Sequence, residues 1–115
     1  MLPRHKPKKS IKKEIWKKTN GICAHCGRRV SERNKTIDHF VPKVSGGTND
    51  KRNLMPLCKY CNTVKSFNMV NPEDYYIYSP RKYINECIIY KSQFNTFQND
   101  LYLNYILEEV NYEPT

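Results

Sequence analysis

Two Cys-x-x-Cys pairs, Cys23-Ala24-His25-Cys26 and Cys58-Lys59-Tyr60-Cys61, constrain this chain more than any other feature. Each pair is the spacing of a zinc knuckle, and four thiolates converge on one tetrahedral ion once the intervening loop folds back. A closed four-sulfur shell leaves no open coordination position, so the zinc it predicts is structural and the chemistry lies elsewhere. Redox dithiols or disulfides are the alternative. Neither pair sits in a thioredoxin-like βαβ pattern, however, and the basic start MLPRHKPKKS leads into more lysines instead of an apolar leader, which points to a reducing, intracellular setting. Cys87 is then a spare thiol acting as a small buried apolar group. His25, between two cysteines, is an alternative ligand whose more ordinary place is in solvent.

Composition explains why a metal staple is useful. With 115 residues and 38% hydrophobic content, one domain with small additions is feasible, but its core is lean. No stretch approaches membrane-spanning length, so a soluble, cytoplasmic protein is expected. The formal charge of +9 is unevenly spread: Met1 to Phe67 holds 17 Lys and Arg against four Asp and Glu, and the remainder holds three against seven. A polyanion partner follows, because clustered cations displace condensed counterions from nucleic acid.

Between and beside the knuckles lie Asp38-His39, Asn53 and Asn62. With Ile37-Asp38-His39-Phe40-Val41-Pro42, Gly46-Gly47, Asn53-Leu54-Met55-Pro56-Leu57-Cys58, Cys61-Asn62 and Lys65 in that order, the stretch from about Asn20 to Phe67 resembles the HNH endonuclease family. The resemblance implies a small ββα-metal, treble-clef-like core stapled by the four-cysteine zinc site; with the N-terminal helix and helical C-terminal tail that the flanking residues themselves suggest, the expected fold class is α+β. It also implies that His39 is the general base, that Asp38 and Asn62 hold a catalytic divalent cation, and that Asn53 holds the loop and orients the histidine. Many members carry histidine at the last position; asparagine here makes the site harder and richer in oxygen.

The residues themselves agree with that chemistry. A carboxylate and an amide carbonyl offer only oxygen, which suits partly hydrated magnesium or manganese completed by substrate phosphate. An imidazole titrating near neutrality can take a proton from water on the opposite side. Taken singly, Asp38-His39 would be a strand-end pair, and the two asparagines would be turn or cap residues. Lys65, Lys43, Arg52, Lys12 and Lys13 are the candidate contacts to nucleic acid. The activity so implied is metal-dependent hydrolysis of DNA phosphodiesters, nicking duplex DNA in one strand per site and leaving 5′-phosphate and 3′-hydroxyl ends, in a bacterial or phage-infected cell. Two rivals remain: a non-catalytic zinc module that binds nucleic acid, and a subunit of a phage packaging or defence assembly docked to partner proteins through the C-terminal extension.

The chain order places these groups. Residues 1–19 read as a basic arm and a helix from Ser10 to about Thr19, with Ile11, Ile15 and Trp16 inward, Lys12, Lys13, Lys17 and Lys18 outward, and Asn20-Gly21 as the stop. Residues 20–67 form the core. A strand is expected over Thr36–Val41, ended by Pro42, then a turn-rich loop, a strand over Asn53–Leu57 and a helix over Lys59–Phe67 that sets Asn62 and Ser66 at i and i+4. Residues 68–115 form a tyrosine-rich, mostly helical extension. Helix starts are expected at Asn71-Pro72 and Ser79-Pro80, with an apolar stripe of Ile84, Cys87, Ile88 and Phe94, although Cys87 to Tyr90 also fits a strand. A last helix is expected after Asn99, with Leu103, Ile106, Leu107 and Val110 on one face.

Overall fold

In the computed structural model, which describes residues 9–94, helix α1 spans Lys9–Trp16. Ser10 lies inside the helix instead of capping it, because Lys9 is already helical. Ile15 and Trp16 are buried, and the Trp16 indole donates to the Thr36 carbonyl at 2.8 Å, which makes the tryptophan a core anchor. A 3₁₀ turn over Lys17–Thr19 ends at Asn20, whose left-handed φ of 53° turns the chain. Lys18, expected on the polar side, is buried. Its ammonium donates to the Lys51 and Leu54 carbonyls, both at 2.7 Å, with the Glu86 carboxylate 4.0 Å away. A buried and a half-buried carbonyl at the entrance to the second strand need a donor, and this side chain supplies it.

Strand β1 (Lys35–His39) pairs antiparallel with β2 (Leu54–Cys58), Lys35 opposite Cys58 and His39 opposite Leu54. The first strand stops short of the expected Val41 for a specific reason. The Phe40 N–H still reaches the Asn53 carbonyl at 2.8 Å, but the Asn53 side chain then takes the Val41 N–H at 2.7 Å. Pro56 sits within β2 without breaking the ladder. Its carbonyl accepts from Ala24 at 2.9 Å, so its donorless nitrogen also faces the first knuckle, away from β1.

Helix α2 (Lys59–Lys65) follows β2 directly, with the Cys58 sulfur accepting from the Cys61 N–H as an N-cap. The helix ends before Ser66, whose φ is 54°, so Ser66 does not continue the helical face of Asn62. Beyond it, the Asn71 side chain caps α3 (Pro72–Tyr75) by accepting from Glu73 N–H, and α4 covers residues 81–94. Cys87 to Tyr90 are helical. Ile84, Cys87 and Tyr90 face the core, together with Phe40, Met55, Leu57 and Tyr76. Ile88, expected in that stripe, is 39% exposed, because the inward face follows 84, 87 and 90 and leaves 88 to one side. The arm over residues 1–8 and the helix expected after Asn99 lie outside the described residues, and no helix among those described is long and apolar enough to cross a membrane.

The loop between the strands carries two 3₁₀ turns, Lys43–Ser45 and Lys51–Asn53. Its closure depends on Gly47, where a Cβ would fall 1.8 Å from the Val41 carbonyl oxygen and 3.1 Å from the Asn53 amide nitrogen. The Val41 backbone and the buried Asn53 amide must both give way to admit it. Gly47→Ala is therefore expected to cost about 2 kcal/mol or more, read as a lowered midpoint in urea unfolding; a midpoint equal to that of the parent would show that the loop has slack the packing denies.

Candidate active site and metal centre

The four knuckle sulfurs lie within 4.8 Å of one another. A zinc–thiolate bond of about 2.3 Å implies sulfur–sulfur edges of about 3.8 Å, so the cluster is compatible with a tetrahedral zinc site after a slight contraction. Cys23, Cys58 and Cys61 are buried. Backbone N–H groups already point at sulfur, Cys58 N to Cys23 Sγ at 3.3 Å and Cys61 N to Cys58 Sγ at 3.4 Å, an arrangement that favours thiolate. Burial pushes the Cys26 thiol up, but hydrogen bonds from Arg28 outweigh it and bring the group down to about 6. That guanidinium would also offset the negative charge of a four-thiolate zinc complex. Cys87 stands apart, buried, with burial raising its thiol to about 12.

Asp38, His39 and Asn62 line one cleft of about 230 Å³, with Pro42, Lys43, Val44 and Phe67 among its walls. β1 delivers the first two on opposite faces: Asp38 is 2% exposed and His39 is half-buried. α2 delivers Asn62 from across the sheet. The Asp38 carboxylate receives the Lys65 ammonium on Oδ1 at 3.0 Å and the Tyr76 hydroxyl on Oδ2. Burial pushes its carboxyl up from the usual range, and those two donors pull it back toward the ionised form. The Asn62 amide nitrogen donates to Thr36 Oγ1 at 2.9 Å and to the Ile37 carbonyl at 3.4 Å. With the donor half of that amide committed to β1, its carbonyl oxygen is the half available to a cation.

Desolvation lowers the His39 pKa, partly opposed by its hydrogen bond to Asn49 and helped by Lys43, a direction that favours the neutral imidazole. Its Nε2 lies 2.8 Å from Asn49 Oδ1. A carbonyl acceptor there requires the proton on Nε2, which leaves the lone pair on Nδ1. Asn53 is fully buried. Its amide holds both the N–H and the carbonyl of Val41, at 2.7 and 3.1 Å, and the Thr48 carbonyl at 2.9 Å. It ties together two points of the loop that follows the histidine, Val41 and Thr48, and has no bond to the ring itself.

Three groups escaped the sequence reading. Asn49 sits in a turn-rich run where an asparagine draws no notice, and only the folded loop brings it to His39. Tyr76 and Tyr90 lie in the extension, where no spacing ties them to the site. The Tyr90 hydroxyl meets Thr48 N at 3.0 Å and Thr48 Oγ1 at 3.1 Å, so α4 holds the residue next to Asn49.

The residues expected to meet nucleic acid divide. Lys43 lines the cleft beside His39. Lys12 and Lys13 line a separate cleft with Lys9, Lys17, Arg29 and Lys35. Lys65 is not on the surface: it is buried, bonded to Asp38 and to the His39 carbonyl at 3.1 Å, because a buried carboxylate needs a counter-charge. Arg52 is likewise committed within the molecule, forking onto Asp50 at 2.8 and 3.0 Å and lying 5.7 Å over the Tyr90 ring.

A two-stranded hairpin and a helix joined to a preceding knuckle by a cluster of four cysteines, with an acidic and an amide side chain lining one cleft with a histidine, define a small α+β module of the ββα-metal class. Residues 23–67 match the family model for HNH endonuclease, which supports a nuclease-type function. The chain is also similar to two curated proteins named CRISPR-associated endonuclease Cas9. It is 33% identical over 63 residues to that of Corynebacterium diphtheriae, covering 50% of this chain and 6% of the relative. It is 38% identical over 45 residues to that of Actinomyces naeslundii, covering 38% of this chain and 4% of the relative. The chain thus spans less than a tenth of either relative.

The cluster geometry sets an expectation for metal content. Native mass spectrometry should find one zinc per chain; Cys58→Ser should lose it and unfold, whereas Cys87→Ser should keep it. Equal zinc content in both variants would place the ion somewhere other than the four knuckle sulfurs.

Proposed function

We propose that this chain is a metal-dependent DNA endonuclease in which His39 deprotonates the attacking water. The observation that carries the reading is the single cleft shared by Asp38, His39 and Asn62. A carboxylate with two donors on it still has acceptor capacity, since its two oxygens offer about four lone-pair sites. Asp38 therefore fits a cation together with the Asn62 carbonyl, and an all-oxygen set suits magnesium or manganese. Such an ion, when bound, supplies Lewis-acid stabilisation of charge developing on the phosphate and on the departing sugar oxygen.

The rest of the work belongs to the side chains. Asn49 orients the imidazole through Nε2, so Nδ1 takes the proton from water. Asn53 is a positioning residue, because it fixes Val41 and Thr48 and through them the loop around the ring. Lys43, beside the histidine, is placed to meet substrate phosphate, and the lysine-lined cleft at α1 extends the contact to a longer polyanion. The zinc has no part in the reaction; it sets the start of α2 and hence the position of Asn62. The substrate in this reading is duplex DNA, nicked in one strand per site.

His39→Ala should cut the cleavage rate by about 10²-fold or more, with DNA affinity in a gel shift unchanged. Chelation of exchangeable cations should stop cleavage without releasing zinc, and added magnesium or manganese should restore it. A wild-type chain that shifts DNA but cuts no plasmid with either ion would instead be a non-catalytic zinc module.

A further inference from the structure

We propose that Tyr76 is a positioning residue of the candidate cation site, fixing the Asp38 carboxylate so that its remaining acceptor sites face the cleft. The inference rests on the reading of Asp38 as a cation ligand.

Tyr76 lies beyond the family-matched segment, just after α3, and is 0% exposed. Its hydroxyl donates to Asp38 Oδ2, while Lys65 holds Oδ1 at 3.0 Å. Donors on separate oxygens prevent the carboxylate from turning about its own axis without losing one of them. Both come from groups inside the protein and leave acceptor capacity on the two oxygens, beside the cleft that Asp38 lines. The two donors differ in kind. Lysine adds a positive charge that competes with a cation for the carboxylate, whereas a neutral hydroxyl fixes the oxygen and leaves its charge available. Rings hold the hydroxyl in place: Tyr76 meets Phe40 edge-on at 6.1 Å and Tyr75 at 5.5 Å. Asn71, capping α3 through Glu73 N–H at 2.9 Å, and the Tyr76 N–H bonded to the Pro72 carbonyl at 3.0 Å fix its backbone.

The alternative is a buried tyrosine that merely finds an acceptor. Tyr76→Phe keeps the rings and removes only the donor, so the two roles separate in manganese binding. In the full, zinc-loaded chain, an electron paramagnetic resonance titration should show manganese bound about tenfold more weakly by Tyr76→Phe. The magnesium concentration for half-maximal cleavage should rise by the same factor, with DNA affinity within twofold of wild type. Ile84→Val, a core change away from Asp38, should lower the melting temperature without moving either quantity. A Tyr76→Phe chain that binds manganese like wild type, or that loses no more affinity than Ile84→Val, overturns the proposal while leaving the nuclease reading intact. A wild-type chain with no manganese site overturns both. If Tyr76→Phe does not fold, wild-type protein carrying ¹³Cζ-tyrosine gives the second measurement: the Tyr76 resonance should shift on magnesium addition with the midpoint of cleavage, and a resonance indifferent to magnesium refutes the role.

Discussion

Four thiol groups from two distant knuckles must meet, and the rest of the molecule follows from that meeting. The second knuckle straddles the junction of β2 and α2, with Cys58 at once the last strand residue, the helix cap and a sulfur of the cluster. Closing it against Cys23 and Cys26 fixes where α2 begins, and a helix fixed at its first residue carries Asn62 and Lys65 to set positions. With so lean an apolar composition, the hairpin and a seven-residue helix would not hold this arrangement through propensity alone, since short helices draw their stability from packing. A zinc ion held by the four sulfurs would make its binding free energy folding free energy, delivered at the point from which the site is built.

Once α2 is placed, the energetics turn on one buried carboxylate. Removing Asp38 from water costs several kcal/mol unless the charge is matched and hydrogen-bonded, and Lys65 and Tyr76 meet that requirement from two different elements. The pair Lys65 and Asp38 is thus better understood as compensation than as a source of stability. It also explains why a lysine counted with the basic surface is absent from it. Of the cations the sequence offered to a polyanion, Lys65 and Arg52 are thus committed within the fold, whereas Lys12 and Lys13 line a cleft at α1 and Lys43 lines the one beside His39.

What was legible in the sequence follows the range of each signal. Knuckle spacing, the Asn20 stop, the Asn71-Pro72 start and the alternation of Asp38 and His39 are local patterns with local causes, and the folded chain carries each of them. Strand ends were less legible, because the Asn53 side chain replaces a ladder bond at Val41 and no propensity reports that. Lys18 and Lys65 were misplaced for a common reason: a lysine looks exposed until one knows which carbonyls or carboxylates are buried within reach of its stem. Asn49, Tyr76 and Tyr90 were invisible as site residues because their roles depend on contacts across the fold.

Those last contacts bear on where the functional unit ends. The matched family segment stops at residue 67, yet Tyr76 reaches Asp38, Tyr90 reaches Thr48, and the Tyr75 hydroxyl donates to the Cys61 carbonyl at 3.0 Å. His25, between the first two cysteines, stacks on Tyr75 at 3.9 Å. Each knuckle, the carboxylate and the histidine loop is therefore touched by a residue outside the segment. A core of one hairpin and one short helix has a second face to cover, and residues 68–94 cover it with aromatic rings whose polar ends reach into the site. In this chain the motif and its support are one packing unit, so the boundary drawn by sequence similarity falls inside the structure that the site depends on.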